Sequence, residues 1–436
     1  MDEAGAKWLR VDVYWEMIEP EKGKFRWDYL DAILKGPDDC NYMFTIYSCA
    51  QWATGGVTML PSRLPQEIDD YTNFLNKTVT RYKDKVRFWQ IENEIEISSQ
   101  FWSGGVADYT TLLKKAYATI KSIDQNLYVI AQGLTGGMNV ETHKGNCEKT
   151  FVEMLVGAKG YFDMVDVHLY EEYETYGERL DWVKKAMESN GVDVPVIVSE
   201  MGGPDMRTLA PADIQARIKQ ALAEMKQKIQ KRRAEVQGTF DKTDKEQVEK
   251  LRDEYRELRD GYKKFRLEAL KKAPSLQSFY NPSKRIEFEK LQASDLIKRF
   301  VLAFGHGAEI GLWINMRPPK PREDWNEFGY MRLVDDPDGK DRMLGFRAYR
   351  NLAAKIGRFS AVGKVLLKPG VEAYKFKTAK GPVFVLWSDG GATVEIPAPF
   401  DAVKVTNAFG DESTATPNDG KFAFELNKIP IFVEKN

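Results

Sequence analysis

The sequence predicts an α/β fold, a (β/α)8 TIM barrel of which the first strand is missing. Three observations support this prediction. Short apolar segments alternate with segments of helical period from residue 8 to residue 315, as in proteins built on a parallel sheet. Seven apolar segments follow one another in this way, and so many repeats favour a barrel. Two of them end in a glutamate, at the end of the strand where barrel enzymes carry their catalytic groups.

Length and composition set the bounds of the interpretation. A chain of 436 residues holds more than one domain, or one barrel with an appendage. With 64 basic and 65 acidic residues the chain is nearly neutral, so no nucleic-acid partner is indicated. The three cysteines show neither a metal spacing nor a disulfide framework. No segment is long and apolar enough to predict a membrane span, and no signal peptide opens the chain.

The predicted strands and helices alternate over residues 1–358, apart from one insertion. Residues 1–5 are interpreted as the end of a helix capped by Gly5, and we expect the missing strand, the usual first one of the barrel, to precede Met1. A natural gap in the barrel and a strand that the pattern does not reveal are the alternatives. The other strands are predicted at 8–14, 42–48, 86–92, 127–132, 164–170, 195–200 and 309–315. Helices are predicted at 27–35, 66–82, 108–123, 148–156, 179–189 and 285–304.

The insertion, residues 211–274, differs in kind. Its apolar residues step by four and three, which is the seam of an antiparallel two-helix coiled coil. Residues 238–241 supply the turn, and Thr243 with Glu246 fits a capping box. A charged hairpin of this kind is a solvated spacer or a dimerisation arm, so a homodimer through the hairpin is one of two alternatives.

The last part of the chain changes character again. From residue 359 short alternating runs are separated by glycine-containing turns, which predicts a small antiparallel β-sandwich with no catalytic residues. The predicted organisation is therefore a barrel in two parts, an inserted hairpin and a C-terminal domain, at residues 1–210, 275–358, 211–274 and 359–436 respectively.

Two glutamates mark the predicted carboxyl ends of buried strands. The strand at 86–92 continues into Asn93 and Glu94, and the apolar run at 195–200 ends in Glu200 before two glycines. A retaining glycosidase needs two such carboxyl groups, one as proton donor and one as nucleophile, about 5–5.5 Å apart. The neighbouring Glu92 and Glu96 are expected to point away from the centre or to be solvated at the rim.

Several short motifs, in this order along the chain, resemble one group of known proteins. The sequence is similar to the clan A retaining (β/α)8 glycoside hydrolases, most of all to the family 39 and family 5 types. The resemblance covers most of residues 1–203 and 285–360 but not the hairpin. The matching passages are Arg10–Trp15, Glu19–Trp27, Trp52-Ala53, Asn93-Glu94, Asp166–Tyr170, Ser199–Gly202, the strand containing Trp313, and Phe328–Tyr349.

The resemblance implies a role for each matching residue of the centre. Glu94 would be the acid/base and Glu200 the nucleophile of a double displacement on a β-linked glycan. Asn93 would bind the sugar 2-hydroxyl. Arg10 would lie beneath Glu200 and keep it ionised, since a nearby cation lowers a carboxyl pKa. No metal or organic cofactor is required.

Three further roles are implied at the rim of the site. His168 and Tyr170, two residues apart on one face of a strand, would bond the nucleophile and the substrate. Trp313 would form the apolar floor under the sugar, and Trp52 would lie in a substrate-binding loop. The expected partner is an oligo- or polysaccharide. Such enzymes are commonly exported, which suggests an extracytoplasmic location, although no signal peptide is present.

Each of these residues also has an ordinary structural interpretation. Arg10 could pair with Asp12 or Glu3, His168 could be a satisfied core histidine, and Trp313 and Trp52 could pack in the barrel mouth and its loops. A second hypothesis for the whole chain is a non-catalytic carbohydrate-binding or scaffold protein on a degenerate barrel. The intact pair of glutamates argues against it, because a binding protein has no need of both.

Overall fold

The computed structural model describes residues 2–56, 59–97, 100–135, 141–236, 245–314, 316, 327–336 and 339–435. Its main sheet has seven parallel strands whose spatial order is their order along the chain. The α/β barrel prediction is thereby confirmed, with seven strands in the sheet. They are β1 (Trp8–Tyr14), β2 (Asn41–Tyr47), β3 (Val86–Ile91), β4 (Tyr128–Leu134), β5 (Met164–Leu169), β6 (Val196–Met201) and β7 (Ala308–Trp313).

The helices lie between these strands and around the sheet. None of the helices in the described part of the chain is both long and apolar enough to cross a membrane. The α-helices are α1 (Trp15–Ile18), α2 (Asp28–Ile33), α3 (Gln51–Thr54), α4 (Ile68–Tyr82), α5 (Val106–Ile123), α6 (Glu141–Gly157), α7 (Tyr176–Ser189), α8 (Met206–Leu209), α9 (Ala212–Val236), α10 (Lys245–Lys271), α11 (Gln277–Tyr280), α12 (Arg285–Gly305) and α13 (Leu344–Ile356).

The sheet curls into an incomplete barrel. Its two edge strands, β1 and β7, are not paired in the sheet, although they approach each other within 8 Å between Cα atoms. Side chains from successive strands fill the interior at the amino-terminal end, so the barrel is a packed core and not a pore. These side chains close the barrel at that end. Its members are Trp8, Met43, Phe88, Tyr128, Ile130, Met164, Ile197 and Ile310.

Helix α4 shows how the outer layer is held. Six of its side chains are buried at alternating intervals of three residues and one residue, which places them on one face of the helix. The stripe packs on the outside of the sheet, where Trp15 and Phe74 stack with ring centroids 5.3 Å apart. Strand β5 is buried along its whole length because helices cover it from outside and the barrel interior covers it from within.

Helices α9 and α10 form the predicted hairpin. Arg232 on α9 donates two hydrogen bonds to Glu254 on α10, at 2.6 and 3.1 Å, and the base of the hairpin is anchored in a small apolar cluster that contains Ile214 and Leu270. The predicted turn at 238–241 and Thr243 lie outside the described residues. The seam residues along the arm are only half-buried, since two helices alone cannot cover them.

Dimerisation through the hairpin stays a prediction. If the half-buried seam pairs with that of a second copy, the intact chain should sediment as a dimer at micromolar concentration. A chain in which residues 212–273 are replaced by a short glycine-serine linker should then sediment as a monomer. Sedimentation velocity on both proteins at matched concentrations measures this. If both are monomers, or both dimers, the hairpin is not a dimerisation arm.

The C-terminal residues form the predicted β-sandwich. A six-stranded antiparallel sheet, in the order β13-β12-β15-β10-β9-β8, lies opposite a two-stranded sheet, β11-β14. Apolar side chains from both sheets, including Leu386 and Phe424, fill the space between them. The strands are β8 (Phe359–Lys364), β9 (Glu372–Thr378), β10 (Gly381–Trp387), β11 (Ala392–Pro397), β12 (Val403–Asn407), β13 (Glu412–Ala415), β14 (Lys421–Leu426) and β15 (Ile431–Lys435).

A polar clamp joins this domain to the barrel. The Lys298 ammonium on α12, with 4% of its side chain exposed, donates to Asp389 at 2.5 Å and to the Tyr173 hydroxyl at 2.9 Å. Tyr173 in turn donates to Asp389 at 3.1 Å, and Lys298 lies 4.6 Å from the centre of the Tyr173 ring. Tyr173 belongs to the loop after β5, so the C-terminal domain holds a loop at the mouth of the barrel.

Candidate active site

Glu94 lies where the chain turns sharply off β3. Glu92 and Glu94 both have left-handed backbone conformations, with φ of 62° and 43°, which non-glycine residues adopt only when the surroundings hold them there. The Glu94 backbone N–H donates to the Gly133 carbonyl at the end of β4, at 3.2 Å. The turn directs Asn93 and Glu94 toward the barrel centre and Glu92 away from it.

Glu200 is next to the last residue of β6, and two donors hold its carboxylate. The Arg10 Nη1 group lies 2.5 Å from Glu200 Oε1, and the Tyr170 hydroxyl donates to Oε2 at 2.5 Å. Arg10 Nη2 also donates to Asn93 Oδ1, at 2.6 Å. Arg10 pairs with Asp12 as well, at 3.8 Å, whereas Glu3 pairs with Arg342. Arg10 therefore connects the two strand ends.

His168 lies between the two glutamates and is fully buried. Its Nδ1 is 2.7 Å from Glu94 Oε1 and 3.5 Å from Glu200 Oε2, and its Nε2 is 3.2 Å from Asp166 Oδ2. The ring packs directly on Gly133, where a Cβ atom would come within 2.1 Å of Nε2. Only glycine leaves room for the imidazole at this position.

The carboxyl groups of Glu94 and Glu200 are close together. One oxygen of each, together with a ring nitrogen of His168, lies within 4.8 Å of the others. Side chains are 11% exposed at Glu94 and 16% at Glu200, so both are nearly dry but open to the mouth. In retaining glycosidases the two carboxyl groups are about 5–5.5 Å apart, whereas in inverting enzymes they are about 6.5–9.5 Å apart.

The surroundings push the two carboxyl pKa values apart. Burial raises the pKa of Glu94 to about 7, against the hydrogen bond from His168. Burial would also raise the pKa of Glu200, but the positive charges of His168 and Arg10 outweigh it, and the pKa lies below that of free glutamate. One carboxyl group is thus suited to carry a proton at neutral pH and the other to be ionised.

His168 is held in its charged form. Burial would lower the pKa of His168, but the charges of Glu200 and Asp166 and the hydrogen bond to Glu94 outweigh burial, and the pKa lies well above that of free histidine. A protonated imidazole has no lone pair to give to a metal. A metal ion bound by Glu94, His168 and Glu200 would therefore have to displace this proton.

A second polar layer lies beneath the pair, and the sequence did not reveal it. Gln90 accepts from Arg10 at 2.9 Å and from Thr45 at 2.7 Å, and donates to Asp166 at 2.5 Å. Asp166 accepts from the Ser199 backbone N–H at 2.8 Å and contacts its hydroxyl. Polar residues at inward-facing strand positions were the available signal. The layer fixes the side chains on which Glu94 and Glu200 depend.

The two predicted tryptophans are anchored through their indole groups. Trp313, at the end of β7 and 8% exposed, donates to the Met331 carbonyl at 2.6 Å and stacks on Phe300. Trp52 donates to the Glu19 carbonyl at 2.8 Å and meets Trp15 edge to face. The described contacts of Trp52 lie in the loops after β1 and β2, so a part in substrate binding stays a prediction for both.

Glu92 and Glu96 point away from the centre, which is the first of the two alternatives expected, and both are buried. Glu92 is fully buried, accepts from the Ser48 backbone N–H at 2.6 Å and bonds the Ser62 hydroxyl at 2.5 Å. Glu96 accepts from the Thr135 backbone N–H at 2.5 Å. Each carboxyl group accepts a hydrogen bond from a backbone N–H of a neighbouring segment, which would otherwise bond to water. Sequence patterns do not show such a contact.

We expect Glu92→Gln to stabilise the protein at alkaline pH. Burial raises the pKa of Glu92 to about 8, so the folded state keeps a proton that the unfolded chain loses above pH 4.5. The free energy of unfolding therefore falls by up to about 1.4 kcal/mol per pH unit between these values. Glutamine is neutral at every pH and keeps both hydrogen bonds.

The measurement is Tm from pH 5 to pH 8. The Tm of Glu92→Gln should fall less than that of the wild type, ending about 5 °C higher at pH 8. The exposed Glu188 provides the control, since Glu188→Gln should follow the wild-type curve. Parallel curves for wild type and Glu92→Gln would show that Glu92 is ionised in the folded protein.

Comparison with known proteins places this geometry in context. No protein-family model and no curated sequence matches the chain. Solved structures do match: a family 39 glycoside hydrolase from Bacteroides cellulosilyticus WH2 has 15% identity and a TM-score of 0.66, with 100% of this chain and 76% of that one covered. The chain has the fold of glycoside hydrolase barrels.

Two further structures support the same conclusion. An α-L-arabinofuranosidase from Thermotoga maritima shows 12% identity and a TM-score of 0.54, over 99% of this chain and 87% of that one. A GH39 β-xylosidase from Caulobacter crescentus shows 12% identity and a TM-score of 0.51, over 99% and 89%. The predicted resemblance to family 39 is therefore confirmed, and at these identities it concerns the fold.

Proposed function

We propose that this protein is a retaining glycoside hydrolase that cleaves a β-linked glycan. The proposal rests on one observation: two carboxyl groups whose oxygens come within 4.8 Å lie in surroundings that shift their pKa values in opposite directions. Retaining glycosidases need this combination of a protonated acid and an ionised nucleophile. The shared fold with glycoside hydrolases agrees with it.

The first chemical step uses both groups at once. A Glu200 carboxylate oxygen attacks the anomeric carbon from the α face, and the bond from that carbon to the glycosidic oxygen breaks. Glu94 gives its proton to the departing oxygen, so the aglycone leaves as a neutral alcohol. The products are a glycosyl ester on Glu200 and an ionised Glu94, and the charge is conserved.

In the second step Glu94 acts as a base, whereas it acted as an acid in the first. Water enters from the face that the aglycone left, Glu94 takes one of its protons, and the oxygen attacks the anomeric carbon while the ester bond to Glu200 breaks. Two inversions give net retention. Arg10 and the Tyr170 hydroxyl stabilise the returning carboxylate, since both lie 2.5 Å from its oxygens. Asn93, whose Oδ1 accepts from Arg10, is the residue we assign to the sugar 2-hydroxyl.

Two experiments test the proposal. Proton NMR during hydrolysis of an aryl β-glycoside should show the β-anomer of the free sugar first. A 2-deoxy-2-fluoro glycoside with a dinitrophenyl leaving group should inactivate the enzyme and add one sugar mass to the peptide that contains Glu200. Initial release of the α-anomer, or labelling of another residue, would overturn the mechanism. Folded protein that hydrolyses neither aryl glycosides nor polysaccharides would favour a carbohydrate-binding or scaffold protein.

We expect a bell-shaped dependence of kcat/KM on pH. Activity requires an ionised Glu200, so it should rise as pH increases through the lowered pKa of that group. It also requires a protonated Glu94, so it should fall above about pH 7, where Glu94 loses its proton. Initial rates on a substrate with a poor leaving group give the profile.

The Glu94→Ala variant assigns the alkaline limb of that profile. With a dinitrophenyl leaving group, which departs without a proton, Glu94→Ala should react in a first step that no longer declines above pH 7. Retention of the alkaline decline in this variant would assign that limb to another group. The burst of dinitrophenolate in stopped flow measures the first step alone.

A further inference from the structure

The candidate active site extends along β1 from Arg10 to Asp12. Residues two apart on a strand lie on the same face, and Asp12 is the one nearer the carboxyl end, where the mouth is. Arg10 Nη1 contacts both carboxylates, Glu200 Oε1 at 2.5 Å and Asp12 Oδ1 at 3.8 Å. Asp12 therefore faces the same cavity as the catalytic pair.

Asp12 is the more accessible member of this chain of contacts. Its side chain is 40% exposed, compared with 16% for Glu200 and 11% for Arg10. The Tyr47 hydroxyl donates to Asp12 Oδ1 at 3.4 Å and the Tyr14 hydroxyl to Oδ2 at 3.5 Å, longer than strong hydrogen bonds to a carboxylate. A carboxylate offers about four acceptor positions, so Asp12 retains capacity for a donor that enters from the mouth.

Two tyrosines lie beside Asp12. Tyr14 and Tyr47 stack with ring centroids 4.7 Å apart and an angle of 21° between the rings. Both phenol groups point at the carboxylate through long contacts. The two stacked rings therefore form a wall of the cavity next to Asp12.

The charges around the mouth select the kind of ligand. Arg10 gives its short contacts to Glu200 and Asn93, and His168 contacts Glu94 and Asp166. These two cations next to the pair are already engaged with protein groups. A sugar hydroxyl can donate to Asp12, whereas the carboxylate of a uronic acid in the same position would meet a like charge.

We propose that Asp12 is a specificity-determining residue that accepts a hydrogen bond from a ring hydroxyl, so that the substrates are glycosides of neutral sugars and not uronosides. This inference rests on the proposed function. The site is built from Arg10, Tyr14 and Tyr47 on the β1–β2 side of the mouth, next to Glu200, which shares Arg10 with Asp12. It adds a binding contact and no covalent step.

Four aryl substrates test the proposal: the p-nitrophenyl β-glucoside, β-xyloside, β-galactoside and β-glucuronide. For the wild type, kcat/KM on the best neutral substrate should exceed that on the glucuronide at least 100-fold. Asp12→Asn removes the charge, and we expect it to lower this ratio of kcat/KM values at least tenfold. Asp38→Asn is the control, because Asp38 is 94% exposed on the outer surface, and it should leave the ratio unchanged.

A binding measurement keeps the proposal falsifiable whatever Asp12→Asn does to folding. Calorimetry on the Glu200→Gln variant, which retains Asp12, should show tighter binding of cellobiose or xylobiose than of glucuronosyl disaccharides. Preference for the glucuronide in either assay overturns the inference. An Asp12→Asn variant that lowers kcat/KM equally on all four substrates also overturns it, because Asp12 then only orients Arg10. Absence of any cleavage or sugar binding overturns the proposed function itself.

Discussion

Replacement of Glu200 by alanine should lower kcat/KM on aryl β-glycosides by at least about 10⁴-fold, because the variant has no nucleophile for the first step. The cavity left by the side chain opens beneath the anomeric carbon, where a small anion fits. Azide should therefore restore turnover and give the α-glycosyl azide, the product of a single inversion. Product analysis by NMR checks the anomeric configuration.

The matching change at Glu94 should have a different signature. Glu94→Ala should lose about 10²–10⁴-fold on substrates with poor leaving groups and much less on dinitrophenyl glycosides, whose first step needs no acid. Azide should now attack the glycosyl ester from the other face and give the β-glycosyl azide. The same azide anomer from both variants would contradict the assignment of the two roles.

Replacement of Arg10 by methionine should have the next largest effect. The variant leaves His168 as the cation beside Glu200, and the loss of a second cation 2.5 Å away raises the pKa of the nucleophile. Since activity needs the ionised form, the acid limb of the pH profile should move up by about 1–3 units. Because Arg10 also holds Asn93, kcat/KM at the optimum should fall on the order of 10²-fold.

Arg10→Lys is the matched control for that prediction. Lysine keeps the positive charge but cannot reach Glu200, Asn93 and Gln90 together, so the acid limb should move less while kcat/KM at the optimum still falls. A buried carboxylate without its partner destabilises a protein by several kcal/mol. Circular dichroism is therefore needed to establish that both variants are folded. An acid limb that stays in place in Arg10→Met would show that His168 alone keeps Glu200 ionised.

The sequence predicted the parts of the fold that local patterns specify. The seven strands and most of the long helices between them were found within a few residues, because their burial follows period two or the helical period. Helix α6 is the exception, since it begins at residue 141 and not at residue 148 as predicted. Helix α13 was not predicted, although Ala348, Leu352 and Ile356 are spaced as a buried face. Glu94 and Glu200 stood out because an apolar strand that ends in a carboxylate has few structural explanations.

The contacts across the barrel could not be predicted in the same way. Gln90, Asp166 and Ser199 act through partners on other strands, and a single sequence contains no record of which strands meet. The burial of Glu92 depends on a left-handed backbone conformation. A glutamate rarely adopts this conformation, and the residues next to it in the sequence do not predict it. The contact between Arg10 and Glu200 was expected only because the resemblance supplied the partner.

The clamp beside the mouth of the barrel links two architectures that follow one another along the chain. Lys298 is almost wholly buried, and its carboxylate partner, Asp389, comes from the β-sandwich. Removal of the sandwich would separate this ion pair and leave the Lys298 ammonium next to the Tyr173 phenol. Residue 359 is therefore a boundary between folds that an ion pair crosses, and the sandwich supports the loop that follows Tyr170.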